Sequence, residues 1–335
     1  MESKSGCISN REIRVVDLAK NYPGGVKAVD GVTFNVSAGQ IFGFLGPNGA
    51  GKSTAIKILT TLALPSSGEA TVGGYDVVQQ AGMVRCIAGV ALQEIGLDPI
   101  MTSREMLSMQ AQLFGASSQQ ARARADELIE LVRLTDAVER RVGTYSGGMR
   151  RRLDLALALV HEPEILFLDE PTTGLDPASR RDVWAEVRRL NQELGMTIFL
   201  TTQYLEEADE LADHIAIIDQ GRIRTMGSPA KLKASVGSEA INLAFDDPTS
   251  ARRANDAFKD LNGNSQVDRD TLRLYMSNAA GAIPDVMRRL EQIDLNPISI
   301  TLTQPSLDDV FLQVTGQSLQ AESSKNTAER ETLQV

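Results

Sequence analysis

The segment Gly46-Pro47-Asn48-Gly49-Ala50-Gly51-Lys52-Ser53 follows directly on the apolar run Ile41 to Leu45 and leads into a helical stretch, Thr54 to Leu62. No other part of the chain restricts its fold so strongly. The pattern G-x-x-x-x-G-K-[ST] between a strand and a helix builds a backbone cradle for phosphate. Its glycines let successive N–H groups curl around phosphate oxygens, and the helix start adds the positive end of a dipole. Lys52 is then placed to bridge the outer phosphates of a nucleotide, and the Ser53 hydroxyl to ligate Mg²⁺.

A second set of polar residues ends another buried strand. Ile165-Leu166-Phe167-Leu168 runs into Asp169-Glu170, and Thr197 to Thr202 forms a third apolar run that leads into Gln203. In open α/β sheets ligands bind beyond the carboxyl ends of the strands, where all three runs turn polar. In phosphoryl transfer an Asp at such a strand end holds Mg²⁺, and a neighbouring carboxylate orients and deprotonates the attacking water. Asp169 is therefore read as the metal ligand and Glu170 as the catalytic base.

The alternation of short strands and helices from Ile13 to about Val236 predicts an α/β domain with a largely parallel sheet. Within it, Met106, Leu107, Leu113, Leu128, Ile129, Leu131 and Val132 recur at helical spacing, so a helical subdomain is expected over about 94–160. A smaller α+β unit over 237–316 reads strand (Ile241 to Phe245), helix (Ser250 to Leu261), hairpin around Asp268 to Asp270, helix, and strand (Ile298 to Leu302), an order similar to a split βαβ module. Ser306 with Asp309 marks a further helix start. The polar stretch 317–335 is expected to be disordered.

The formal net charge of −10 disfavours nucleic acid as a partner, since such binders usually carry a basic surface. No uncharged apolar run approaches the ~20 residues that cross a bilayer. Met1 to Arg14 lack the apolar core of a secretory signal, so a cytoplasmic location is expected. Cys7 and Cys86 lack metal-ligand spacing and are read as free thiols. His161 and His214 are read as structural.

Tyr145-Ser146-Gly147-Gly148-Met149-Arg150-Arg151-Arg152, followed by Leu168-Asp169-Glu170-Pro171-Thr172-Thr173-Gly174-Leu175-Asp176-Pro177, closely resembles the signature and Walker B region of ABC transporter ATPases. The resemblance implies the P-loop NTPase fold in its ABC form, with ATP and Mg²⁺ bound. Gly46, Pro47, Asn48, Gly49, Ala50, Gly51, Lys52, Ser53 and Thr54 would cradle the phosphates. Ser146, Gly147 and Gly148, at a helix start, would reach the ATP of a second copy. The resemblance further implies that Tyr22 stacks on adenine, that Gln93 contacts Mg²⁺ or the water, and that Asp176 lies in a loop coupling the two half-sites.

Gln203 stands where most of the family has a histidine on the γ-phosphate. A glutamine donates a neutral hydrogen bond but carries no charge near pH 7. Together with Tyr145, Met149 and Pro305-Ser306-Leu307-Asp308-Asp309-Val310-Phe311-Leu312, it makes the chain similar to the daunorubicin-resistance type of ABC ATPase over about Ile13 to Gly316. That type implies drug or antibiotic export, a separate multi-span permease, a homodimer enclosing ATP, and a peripheral position on the cytoplasmic face of the membrane. The competing expectation is a soluble ABC-type ATPase acting on ribosomes or DNA. Such relatives usually carry two nucleotide units or a long coiled-coil insertion, and this chain shows neither.

Overall fold

A computed structural model describes residues 11–93, 96–259 and 265–316. The expectations for Cys7, for the helix end at Leu261, for the first residue of the 94–160 segment and for 317–335 lie outside these residues. The chain divides into two compact units between Arg224 and Thr225.

The first unit opens with a hairpin, β1 (Ile13–Tyr22) and β2 (Val26–Val36), followed by β3 (Ile41–Leu45), α1 (Lys52–Leu59), β4 (Ser67–Val72), β5 (Tyr75–Asp76), α2 (Ala81–Ile87) and β6 (Ala88–Ala91). Three helices come next, α3 (Ser103–Leu113), α4 (Ser118–Leu131) and α5 (Gly147–Ala158). The chain then returns through β7 (Ile165–Asp169), α6 (Pro177–Leu194), β8 (Thr197–Thr202), α7 (Leu205–Leu211), β9 (His214–Asp219) and β10 (Arg222–Gly227). The central sheet has the order β10-β9-β3-β8-β7-β6. Its pairs β3–β8, β3–β9, β7–β8 and β6–β7 are parallel.

Residue alternation along the central strands divides the core into two layers, as the strand period requires. Phe42, Phe44, Phe167 and Phe199 face α1 and a second sheet, while Ile41, Leu166, Leu168, Ile198 and Leu200 face the helices α3 to α6. Phe34 of β2 stacks on Phe42 at 5.4 Å and on Phe199 at 5.8 Å, which locks the two sheets together. Such aromatic pairs add about 1 kcal/mol each beyond area burial.

The central sheet is the largely parallel one expected; the second sheet was not foreseen. It is four-stranded, in the order β2-β1-β4-β5, and antiparallel. Its strands alternate: Ile13 and Val15 are buried while Arg14 is exposed, the signature of a sheet with one wet face. The helix after the phosphate loop also begins earlier than read, at Lys52.

The second unit contains α8 (Pro229–Val236), β11 (Glu239–Ala244), α9 (Pro248–Ala257), β12 (Ser265–Asp268), β13 (Thr271–Met276), α10 (Ala279–Gln292), β14 (Ser299–Thr303) and α11 (Leu307–Thr315). Its sheet runs β12-β13-β11-β14 and is antiparallel throughout, the split βαβ arrangement. Ile241, Leu243, Leu272 and Leu274 pack under Ala251, Ala254, Val286 and Leu290 of α9 and α10. Ser306 and Asp309 form a reciprocal capping box at the start of α11. The unit begins earlier than the sequence boundary of 236/237, because α8 packs against α11 and so belongs with it.

Candidate nucleotide site

The phosphate loop leaves β3 at Leu45 and closes on α1. Gly46 runs so close to β9 that a Cβ would sit 2.2 Å from the Ile218 carbonyl oxygen. Gly51, at φ +107°, approaches the Ala28 carbonyl equally closely, at 2.2 Å from an added Cβ. Only glycine fits at either position. The Gly46 N–H donates to the Thr202 carbonyl at 3.1 Å, which fastens the loop to the end of β8 beside Gln203.

Lys52 is the cation of the loop and is almost fully enclosed. Its Nζ donates to the carbonyls of Gly46 at 2.8 Å and Pro47 at 2.9 Å, and pairs with Glu170 Oε1 at 3.1 Å. Burial pushes the ammonium below the ordinary lysine value, and the Glu170 carboxylate opposes that shift. Ser53 Oγ donates to Asp169 Oδ1 at 3.2 Å.

Asp169 ends β7 opposite Thr201 of β8, whose hydroxyl donates to Asp169 Oδ1 at 2.5 Å. Glu170 comes next in the left-handed region at φ +48°, a conformation that costs a non-glycine residue on the order of 1 kcal/mol or more. It is held there because its N–H donates to both the carbonyl and the hydroxyl oxygen of Thr201, each at 3.1 Å. The Glu170 side chain turns toward Lys52 with one oxygen. The other, Oε2, accepts from Gln93 Nε2 at 3.3 Å and Thr173 Oγ1 at 3.2 Å.

Four strand ends, β3, β8, β7 and β6, thus bring the loop from Gly46 to Ser53, Gln93, Asp169 and Glu170 into one hydrogen-bonded cluster. The remaining candidate residues are not hydrogen-bonded into it. Among the described residues no hydrogen bond joins Tyr22, Ser146, Gly147, Gly148, Asp176 or the Gln203 side chain to the cluster. Ser146 is exposed and caps α5, accepting from the Met149 N–H at 3.2 Å. Gly147 and Gly148 let that helix start pack tightly: a Cβ on Gly147 would lie 3.1 Å from Leu175 Cδ2, and one on Gly148 would lie 3.1 Å from Ser179 Oγ. Asp176 caps α6 through the N–H groups of Ala178 and Ser179, each at 3.0 Å, and the Ser179 hydroxyl at 2.6 Å. Those bonds, Ser179 foremost, hold its carboxyl below the usual range. Tyr22 is exposed at the end of β1, with the Lys20 ammonium 5.2 Å from its ring centre. His161 stacks on Phe114 and His214 on Phe42, both away from the cluster.

Three supporting roles were not foreseen from the sequence. Thr201 looked like one more β-branched strand residue. Arg151, in the helix capped by Ser146, is 3% exposed. Glu207 of α7 is fully buried, accepting from Thr172 Oγ1 at 2.8 Å and Trp184 Nε1 at 2.9 Å. Burial lifts its carboxyl above the ordinary range. A charged letter in an amphipathic helix gives no sign of such burial.

A phosphate loop with a buried lysine, a hydroxyl beside an aspartate, and a glutamate bridged by a glutamine together define a nucleotide-hydrolysing P-loop enzyme. A family model described as "ABC transporter" matches residues 29–173. Daunorubicin resistance ATP-binding protein DrrA3 of Streptomyces coeruleorubidus is 43% identical over 302 residues, 90% of this chain and 95% of that protein. Daunorubicin/doxorubicin resistance ATP-binding protein DrrA of Streptomyces peucetius is 45% identical over 324 residues, 96% of this chain and 97% of that protein. Among solved structures, cbiO1 from Clostridium perfringens, part of the ABC transporter complex cbiONQ, superposes with a TM-score of 0.62 at 26% identity, covering 66% of this chain and 90% of that one. The ATP-binding cassette MJ0796, solved as a post-hydrolysis dimer with ADP and Pi, shares the fold at TM-score 0.59 and 24% identity over 64% of this chain and 98% of that one. The chain belongs to the ABC transporter family, as an ATP-binding and ATP-hydrolysing subunit of the daunorubicin-resistance type. No helix among the described residues is long and apolar enough to cross a membrane.

Proposed function

We propose that two copies of this chain enclose Mg·ATP between them and that closing and reopening of the pair drives a separate permease. The observation that carries the reading is the Lys52–Glu170–Gln93 cluster at the mouth of the phosphate loop. Lys52 and the loop amides from Gly46 to Thr54 hold the β- and γ-phosphates, and Tyr22 stacks on adenine. Glu170 orients the attacking water and takes its proton, and Gln203 donates a hydrogen bond to the γ-phosphate. Ser146, Gly147 and Gly148 of the second copy complete the phosphate site, since a helix start with free N–H groups suits an anion. Asp176, at the start of α6, couples the two half-sites.

Ser53 Oγ and Asp169 Oδ1, 3.2 Å apart, are hard oxygen donors of the kind that hold Mg²⁺ together with substrate phosphates. Gln93 adds an amide oxygen to that set. When bound, Mg²⁺ neutralises charge on the β- and γ-phosphate oxygens.

On this reading the first unit forms the ATP-binding domain, with its helical subdomain over about 94–160, and the second unit, α8 included, a small accessory domain. The work is done at the cytoplasmic face of the membrane. The relatives' names as drug-resistance proteins support export of a drug, an antibiotic or another hydrophobic compound. The test is gel filtration of the full chain carrying Glu170→Gln, with ATP and Mg²⁺. An ATP-bound dimer is expected; a monomer that still hydrolyses ATP at the wild-type rate contradicts the assignment.

A further inference from the structure

We propose that Arg151 is a positioning residue for hydrolysis: from the helix that starts at Ser146, its one guanidinium ties together the backbone carbonyls that immediately precede Gln93 and Glu170. The inference rests on the reading of Glu170 and Gln93 as the groups that handle the water.

Arg151 Nη1 donates to the Leu92 carbonyl at 2.9 Å, and Nη2 donates to the Asp169 carbonyl at 3.3 Å. β6 and β7 are neighbours, with Ala91 opposite Leu168 as their last paired residues. Leu92 and Asp169 therefore lie just beyond this ladder, and a planar fork suits two diverging acceptors in a way a lysine does not. The same Nη1 pairs with Asp154 Oδ2 at 2.7 Å, one turn along α5.

A buried ion pair is a costly way to fill a helix face. An apolar residue of similar volume is often as stabilising or more so. Both partners show the cost: burial pulls the Arg151 guanidinium below its ordinary value, and it pushes the Asp154 carboxyl up to about 6 even with the arginine opposing it. Arg151 Nε has no partner among the described residues, so the group is placed for its two terminal nitrogens. Those nitrogens grip the residues before Gln93 and Glu170, whose side chains meet each other at 3.3 Å. A rotation or slide of α5 is then passed to both through a single rigid group. The helix whose start would touch the second copy's ATP is thereby linked to the water site of its own chain.

The test compares the full chain carrying Arg151→Lys, Arg151→Gln with Asp154→Asn, or Glu170→Gln. The double variant removes both buried charges together, so neither is left uncompensated and folding is kept. Thermal unfolding, affinity for a fluorescent ATP analogue with Mg²⁺, and steady-state turnover are measured on each. Analogue affinity is expected within about threefold of wild type, while turnover falls about 10²-fold in the double variant, as a ~1 Å misplacement of reacting groups does. Arg151→Lys, which reaches one carbonyl and not both, is expected to lose about tenfold. Wild-type turnover in a folded double variant overturns the proposal, as does a loss of affinity as large as the loss of turnover. If Glu170→Gln abolishes turnover while both Arg151 variants work normally, the positioning role alone falls. If Glu170→Gln itself hydrolyses ATP normally, the reading of the water site falls first and this proposal with it.

Discussion

Lys52 Nζ stands 3.1 Å from Glu170 Oε1, with both side chains buried, so one cation is shared by the phosphate loop's carbonyls and the carboxylate proposed to handle the water. Phosphate oxygens would compete with Glu170 for that ammonium, which links nucleotide arrival to release of the carboxylate. Lys52→Ala is expected to weaken ATP binding about 10- to 100-fold, the worth of a lost charge-assisted hydrogen bond. Titration with a fluorescent ATP analogue checks this, and unchanged affinity would place the phosphates elsewhere.

Thr201 serves both acids of the site, through its hydroxyl to Asp169 at 2.5 Å and through both of its oxygens to the Glu170 N–H. Groups that orient a metal ligand typically contribute 10- to 100-fold in metal affinity. Thr201→Val keeps the shape and removes the hydroxyl, so the Mg²⁺ concentration giving half-maximal turnover is expected to rise about tenfold. The same Mg²⁺ dependence as wild type would remove Thr201 from the metal site.

Gln203 follows Thr202, whose carbonyl accepts from Gly46, so its place beside the phosphate loop is set by the backbone. Gln203→Ala is expected to slow turnover about tenfold, the effect of one neutral hydrogen bond made in the transition state. Unchanged turnover would show that the side chain does not touch the γ-phosphate.

Asp309 anchors the second unit. It accepts from Tyr275 Oη at 2.7 Å and the Ser306 N–H at 2.7 Å, and pairs with Arg273. Burial raises its pKa, but the hydrogen bonds from Ser306 and Tyr275, with Arg273, outweigh it and hold the carboxyl below 3.8. A carboxyl lowered on folding stabilises the fold at pH values above its unfolded pKa, and that stability is lost as pH falls through the folded value. Asp309→Asn is therefore expected to destabilise the unit by about 3 kcal/mol at pH 7. The gap to wild type should begin to shrink below about pH 4, where the unfolded chain's carboxyl takes up its proton, and close as pH falls through the lower folded value. Thermal unfolding at both pH values measures it; a pH-independent gap would mean that the charge contributes nothing.

What was legible in the sequence follows from burial on both faces. β3, β7 and β8 are continuous apolar runs, and their limits at Leu45, Asp169 and Thr202 could be read directly, along with the polar residues that follow them. β1 alternates buried and exposed residues, so its pairing with β2 and β4 into a separate sheet was hidden. α8 gave no sign of its partner, because its packing on α11 joins residues far apart in sequence. At the site, motif residues were visible, while the roles of Thr201 and of Arg151, itself a letter of the signature stretch, were not: each acts through backbone carbonyls or a second side chain, which no spacing rule records.

Complementation between two disabled chains tests most directly whether each ATP is shared by two copies. Lys52→Ala disables the phosphate loop, and Ser146→Arg places bulk and charge at the start of α5; each alone is expected to be inactive. When the two are co-expressed, half-sites from opposite chains make one intact site in each mixed dimer. Turnover should then recover to about a quarter of the wild-type rate by random pairing in a two-fold dimer. No recovery above the two variants measured separately, with mixed dimers shown to form, would mean that each chain carries a complete site of its own.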